Sequence, residues 1–319
     1  MPRKTKLPAV APSATKARGQ RHHVNLEMTA PGGEGGDGRD NPSDPALAAT
    51  VALLKELQSQ RRFCIKSQSR ADRTCEAFIA RLMGYRSDMS EAAGKAIWVK
   101  AAAMRRAVEK DGEGQRASAN QRTFALAACT LIIVNSAVAR KAWDKLRSDT
   151  ESKMRALART LPAWSWGSGV KGFGELGLAI IIGETGDLAL YATKERVWKR
   201  LGLAVIEGKR QQRMTDKTAA AAHGFNPQRR AEGWTLADSM FRHQWSGKTD
   251  DGPGKPAGPY GAVYAHRKAH TVTREGWLPR HRENDARRIM FKALVEDLWR
   301  VWNGKPPLDM LGHNGPPRA

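Results

Sequence analysis

The stretch that decides the fold class is SDPALAATVALLKEL, residues 43–57. Asp44 can cap a helix, and the proline that follows it at position 45 is well tolerated in a first helical turn. The apolar positions after it recur every three or four residues, as on one face of a helix: Leu47, Val51, Leu54 and Leu57. This pattern predicts that a helical region begins at residue 45.

Helical patterning continues through residues 47–161. One apolar stripe runs up to Gly84, a second helix is expected over 90–110, and a long third helix over about 120–161. No segment of this region shows the alternation of apolar and polar residues that is typical of a strand. The sequence therefore predicts a helical bundle or antiparallel coiled coil, whose role is scaffolding or self-association.

The rest of the chain is divided by composition. Residues 1–46 are rich in Pro, Gly, Ser and Ala and predict a disordered basic tail, either an electrostatic arm or a solubilising segment. A second helical domain is expected over 162–304, with a loop at 246–259 and a last helix over about 283–303. Residues 305–319 form a terminal tail. The predicted fold class is mainly α.

The net charge suggests the class of partner. The 319 residues include 54 Lys or Arg and 32 Asp or Glu, a formal charge of +22, which makes a polyanion the first partner to consider. With 40% hydrophobic residues, wholesale disorder is excluded. The longest apolar run, residues 124–134, is too short to span a membrane, which takes about 20 residues. The three widely spaced cysteines are typical of reduced thiols, so we expect a cytoplasmic protein.

The sharpest local motif is VKGFGELG, residues 170–177. Its glycines satisfy G-x-G-x-x-G, the dinucleotide-binding fingerprint, but that fingerprint has meaning only after a buried strand. The preceding residues 163–169, AWSWGSG, do not resemble such a strand. A plain turn between two helices and a helix-hairpin-helix are the two other interpretations.

The helix-hairpin-helix interpretation rests on the order apolar-x-Gly-apolar-Gly, which Val170–Gly174 matches. Two glycines permit a tight turn and a close backbone approach. Backbone N–H groups at the start of the following helix can then meet a phosphate oxygen without reading base sequence. Lys171 adds a positive charge at the same place.

A longer stretch, VKGFGELGLAIIIGETGDLALYATKERVWKRLGLAVIEGKRQQR at 170–213, resembles the C-terminal domain of insertion-sequence transposases of the 110/116/902 group. The resemblance implies a helical DNA-binding domain of a mobile-element recombinase, with a role in DNA transposition or recombination. The matching features are Gly172 and Gly174, the apolar segment 178–182, Glu184–Asp187, Leu201–Leu203 and Gly208–Arg210.

Two departures from that family bear on catalysis. The family carries an RNase-H-like nuclease domain with four acidic residues, and residues 1–150 lack its alternating β/α pattern. Glu207 stands where the resemblance places a catalytic serine, and nothing around Ser239 favours it as a substitute. We therefore assign no catalytic residue, no metal ligand and no cofactor. An active transposase with an unidentified nucleophile and a non-enzymatic helical scaffold remain the alternatives.

A basic run follows the glycine motif. Residues 194–230 hold ten Lys or Arg and three Asp or Glu, a net charge of +7. Arg196, Lys199 and Arg200 have the spacing of one helical face. We expect contacts with the DNA backbone and little sequence preference. The predicted DNA-binding residues are Lys171, Gly172, Phe173, Gly174, Lys194, Arg196, Lys199, Arg200, Lys209, Arg210 and Arg213.

Overall fold

Three helices form a region that we call the arm: α1 Pro45–Leu82, α2 Glu91–Lys110 and α3 Phe124–Ala158. The structure is a computed structural model that describes residues 44–110, 124–247 and 254–308. Helix α1 begins as the sequence predicts, with the Asp44 side chain accepting a hydrogen bond from the Ala46 N–H at 3.0 Å. At 38 residues it is about 57 Å long. Most of the predicted N-terminal tail and the last eleven residues lie outside the described residues.

The remaining elements form a region that we call the base. Seven helices, one 3₁₀ turn and one two-stranded antiparallel hairpin make it up in the described part of the chain, so the mainly α prediction is confirmed. In chain order they are α4 Trp164–Gly167, α5 Gly174–Thr185, the 3₁₀ turn Leu188–Leu190, α6 Lys194–Arg200, β1 Val205–Ile206, β2 Lys209–Arg210, α7 Lys217–His223, α8 Pro227–Gln244, α9 Pro259–His270 and α10 Pro279–Trp302.

The main core surrounds α5, whose apolar segment 178–182 is fully buried. Gly183 lets α5 approach α1 closely, because a Cβ there would lie 2.6 Å from the Gln58 Cβ and 3.0 Å from the Leu54 carbonyl oxygen. The core also takes in Met154 of α3 and a row of residues from α10. It therefore includes side chains from both sides of residue 162, where the domain boundary stays a prediction.

A second, smaller core lies at the other end of the arm. It combines Cys75 and Ile79 of α1 with Ala101 of α2 and with Cys129 and Ile133 of α3. Between the two cores, α1 and α3 meet through polar pairs such as Gln68 with Asp144 and through an aromatic contact of Phe63 with Trp143, whose ring centroids lie 5.4 Å apart. Ion pairs such as Arg140 with Asp72 therefore contribute to this contact beside the aromatic packing.

Several boundaries and surfaces differ from the sequence prediction. Helix α3 ends at residue 158, before 161, and α10 begins at residue 279, four residues before the predicted start. Leu131 and Val138, apolar positions of α3, are 61% and 59% exposed because α1 covers only one side of that helix. Among the described residues, no helix combines the length and the apolar character needed to cross a membrane.

Candidate nucleic-acid interface

The glycine turn lies between α4, a helix of four residues, and α5. Gly172 has φ +82° and Gly174 has φ +60°, in the left-handed region that favours glycine. The turn is packed against the end of α8, because a Cβ at Gly172 would lie 2.9 Å from the His243 Cβ. Gln244 Nε2 also donates to the Lys171 carbonyl at 2.9 Å. One side of the turn is thus covered by the protein itself.

The open side of the turn is electrostatically mixed. A Cβ on Gly174 would meet no atom within 4 Å, and Lys171 is exposed. Glu175, in the first turn of α5, pairs with Arg159 at 2.9 Å, and this hydrogen bond holds the pKa of its carboxyl below the usual value. The carboxylate would compete with a phosphate for the helix N-terminus. Phe173, a predicted DNA contact, is 4% exposed and packs in the main core.

Ser239, the substitute nucleophile considered from the sequence, lies behind the same turn. Its hydroxyl donates to the Gly172 carbonyl at 3.4 Å, and its own carbonyl oxygen lies 2.9 Å from His243 Nδ1. The serine therefore joins α8 to the turn. Among the described residues, no cluster of His, Cys, Asp and Glu is arranged to hold a metal ion.

The seven Lys and Arg residues of the basic run that were predicted to bind DNA fall into two groups. Three are held by the protein: Lys194 pairs with Glu296, Arg200 donates to the Glu184 carbonyl, and Arg210 pairs with Asp285. The others are exposed and have no carboxylate partner in the described part of the chain: Arg196, Lys199, Lys209 and Arg213.

These exposed cations and the glycine turn do not form one patch. The chain after α6 is held at the start of α8, where Arg230 donates to the Gly202 carbonyl. The glycine turn is held at the other end of α8, by Met240 and His243. Thirteen residues of helix separate positions 230 and 243, which is about 20 Å. The predicted interface is therefore split along the length of α8.

A cleft of about 610 Å³ beside the β-hairpin gathers further positive charge. We call it the arginine pocket. Of its four arginines, only Arg210 was among the predicted DNA-binding residues. The residues that line the pocket are Val205, Gly208, Arg210, Arg267, Arg274, Trp277, His281, Asn284, Asp285 and Arg288.

A single carboxylate holds three of these arginines. Asp285 is fully buried, and its Oδ1 accepts hydrogen bonds from Arg210 Nη2 at 2.6 Å and Arg288 Nη2 at 3.0 Å. Its Oδ2 accepts from Arg267 Nε at 2.7 Å. Burial opposes ionisation of Asp285, but the hydrogen bonds from Arg267 and Arg288 outweigh burial and hold its pKa below the usual value. The aspartate is therefore ionised at neutral pH.

Arg288 is the least satisfied member of the pocket. Its side chain is 7% exposed, and its Nε and Nη1 have no hydrogen-bond partner among the described residues. Burial lowers its pKa first, and the charges of Arg210 and Arg267 lower it further, against the opposing effect of Asp285. Burial and the nearby charges of Arg288 and Arg210 lower the pKa of Arg230 in the same way. Four lining arginines and one aspartate leave the pocket with a formal charge of +3.

Two more features define the edge of the pocket. The guanidinium carbons of Arg274 and Arg210 lie 5.0 Å and 5.6 Å from the ring centroid of Trp277, so cation–π attraction helps to hold both cations at the pocket. Glu207, exposed at the tip of the hairpin, has φ +50°, the one positive φ of a non-glycine residue in the described ranges.

Comparison with known proteins adds no further assignment. No protein-family model, no curated protein and no solved structure matches the chain. Sequence reasoning missed Arg267, Arg274, Trp277 and Arg288 as partners of Arg210, because tertiary packing alone brings them together. The one sequence signal for this pocket is the density of Lys and Arg residues around α10. The sequence predicts only a last helix for that segment.

Proposed function

We propose that the chain binds nucleic acid, with duplex DNA as the leading candidate. The contacts are with backbone phosphates and show little sequence preference. The observation that carries the proposal is the set of exposed cations on α6, on the β-hairpin and just after it, which have no carboxylate partner among the described residues, in a chain of net charge +22. The resemblance to the C-terminal domain of insertion-sequence transposases supports a role in DNA transposition or recombination. No catalytic step is assigned to any residue.

The expected strength of this interaction follows from counterion release. Each phosphate that a lysine or arginine neutralises contributes about −0.9 to the slope of log affinity against log salt concentration. Four contacts, from Arg196, Lys199, Lys209 and Arg213, predict a slope of about −3.6. Shape complementarity alone would give no such dependence.

The test removes three of these charges together in the variant Arg196→Ala/Lys199→Ala/Lys209→Ala. We expect the salt slope for a fluorescent duplex to become less steep by about 2.7, as measured by anisotropy. The matched control is Lys95→Ala/Lys100→Ala/Arg106→Ala, which removes three exposed cations of α2. An equal change in both variants would show that total charge, rather than this surface, determines binding.

Self-association through residues 47–161 is a second candidate function, supported by exposed apolar side chains on the arm. Phe78 and Leu82 lie one turn apart on α1, 48% and 44% exposed, and Val99 of α2 is 59% exposed. Sedimentation of the full chain over a range of concentrations tests it. A dimer that Phe78→Ser/Leu82→Ser converts to monomer is expected, and a monomer at all concentrations would refute it.

A further inference from the structure

We propose that the arginine pocket is a binding site for a phosphate monoester, the group carried by a free nucleotide or by the end of a nucleic-acid strand. The strand-end form deepens the proposed function and rests on it, whereas binding of a free nucleotide does not. The pocket lies at Arg210 and next to Lys209, so it adjoins the surface proposed to contact DNA.

Charge is the first argument. The four arginines that line the pocket face one carboxylate, and the charges of Arg210 and Arg288 also reach Arg230. Like charges held together at partly buried positions repel one another, and an anion would relieve that repulsion. A phosphate monoester carries about −1.5 to −2 at pH 7, against −1 for a diester. A surplus of +3 therefore favours the monoester.

Free donors are the second argument. Arg210 uses only Nη2 on Asp285, and Arg267 uses only Nε. The other guanidinium nitrogens of these two residues, and all those of exposed Arg274, have no hydrogen-bond partner among the described residues. Planar guanidinium groups match the oxygens of a phosphate in paired hydrogen bonds. Asp285 and Trp277 hold the arginines in position before a ligand arrives.

Size is the third argument. The cleft of about 610 Å³ lies within the range of ligand pockets, about 300–1,000 Å³, and is larger than a phosphate group needs. Space therefore remains for the attached sugar and base. His281 and Asn284 provide further polar atoms in the lining. Glu207, exposed beside Gly208 at the hairpin tip, is a nearby acid that would oppose a second phosphate at that edge.

The experiment compares three probes on the full chain: a single-stranded oligonucleotide with a 5′-phosphate, the same oligonucleotide with a 5′-hydroxyl, and free deoxyadenosine monophosphate. We expect the 5′-phosphate to raise oligonucleotide affinity about tenfold, since charge-assisted hydrogen bonds are worth about 1.5 kcal/mol or more. Free deoxyadenosine monophosphate is expected to compete with the 5′-phosphorylated strand.

Two pocket variants and one control identify the site. Arg274→Gln changes an exposed residue of the pocket, and Arg288→Met removes the buried guanidinium. Both are expected to lose most of the tenfold preference for the 5′-phosphate. Arg280→Gln removes an exposed arginine that lines the neighbouring cleft, and it is expected to keep the preference. If Arg288→Met fails to fold, Arg274→Gln decides alone.

The outcomes separate this inference from the proposed function. Binding of deoxyadenosine monophosphate that depends on Arg274, without binding of duplex DNA, would support the pocket and refute the proposed function. Salt-dependent binding of duplex DNA, without preference for the 5′-phosphate and without nucleotide binding, would overturn the pocket and leave the proposed function intact. Equal preference in the wild type and in Arg274→Gln would also overturn it.

Discussion

The arm and the base both contain buried arginines, and they differ in the carboxylates that accompany them. On the arm, Arg61 of α1 bonds Glu151 at 2.9 Å and Glu232 at 3.0 Å. Glu151 also serves Arg147 and Arg155, but Arg61 keeps Glu232 as a second partner. In the arginine pocket of the base, Asp285 is the one carboxylate that pairs with Arg210, Arg267 and Arg288 among the described residues. The carboxylates around Arg61 therefore neutralise it within the fold. The pocket arginines keep a surplus of positive charge that a bound anion would neutralise.

The pattern on the arm repeats at its other polar layers. Arg105 pairs with Glu76 at 3.0 Å and lies 3.5 Å from Asp72. Arg140 bonds Asp72 at 2.7 Å and Asp144 at 3.1 Å. Each of these arginines therefore has two carboxylates within ion-pairing distance, and its charge is balanced within the fold.

The arginines around Glu184 are neutralised in a way that is intermediate between the arm and the arginine pocket. Its carboxylate pairs with Arg62 and Arg229, each at 3.3 Å, while Arg200 donates to its carbonyl oxygen at 3.2 Å. That carbonyl belongs to the last turn of α5, whose partial negative charge offsets a cation. The helix end thus supplies part of the compensation that the arginine pocket lacks.

Removing Asp285 should give the largest effect on stability. Asp285→Asn leaves three guanidinium groups without their shared anion, so we expect a loss of about 4 kcal/mol in the free energy of unfolding. Sodium phosphate should restore about 2.7 kcal/mol at a hundredfold excess over its dissociation constant, in urea titrations. Sodium chloride at the same ionic strength is the control, and equal rescue by both salts would contradict a specific phosphate site.

Removing Arg61 should be nearly as costly for the arm. Arg61→Met leaves the half-buried carboxylate of Glu232 unpaired, so we expect a loss of about 3 kcal/mol. Arg86→Met is the matched control, because its pair with Asp88 is exposed and its loss should cost at most about 0.5 kcal/mol. Chemical denaturation measures both. A near-neutral Arg61→Met would remove the contrast with the pocket.

Removing Arg288 should barely change stability, in contrast to Arg61. Arg288→Met relieves repulsion and eliminates two unsatisfied N–H groups, while Asp285 keeps Arg210 and Arg267 as partners. We expect a change within about 1 kcal/mol, with a gain as the favoured direction. Thermal melting in buffer without phosphate measures it. A loss as large as that of Arg61→Met would identify Arg288 as a structural residue.

The smallest effect concerns Lys292, one turn beyond Arg288. Burial, and then the charge of Arg288, lower the pKa of this lysine to about 8. The charged form is therefore penalised in the folded state below pH 8. Between pH 8 and the usual pKa near 10.5, the folded protein releases the proton first, and stability rises with pH.

Lys292→Met should raise the Tm by about 2 °C at pH 6.5 and by less at pH 9.5. An equal gain at both pH values would show that charge is not the cause.

Sequence patterns predicted the helices better than the site. The Asp44 cap and Pro45 define the start of α1, since capping and a fixed φ act locally. The β-hairpin was missed because strands of two residues show no alternation, and because Glu207 is an unusual residue at a left-handed turn position. Phe173 was predicted at the interface but lies in the core, as the apolar position of the turn packs inward. Arg288 and Arg210 meet only through packing of α10 beside the hairpin, which no local pattern encodes.

The measurement that tests the central claim most directly is the affinity of the full chain for duplex DNA at about 50 and 200 mM salt. If the four exposed cations of α6, β2 and the segment after it contact phosphates, affinity should fall by about 100-fold between the two concentrations. An affinity that is unchanged over this range, or no binding at the lower salt concentration, would contradict the account.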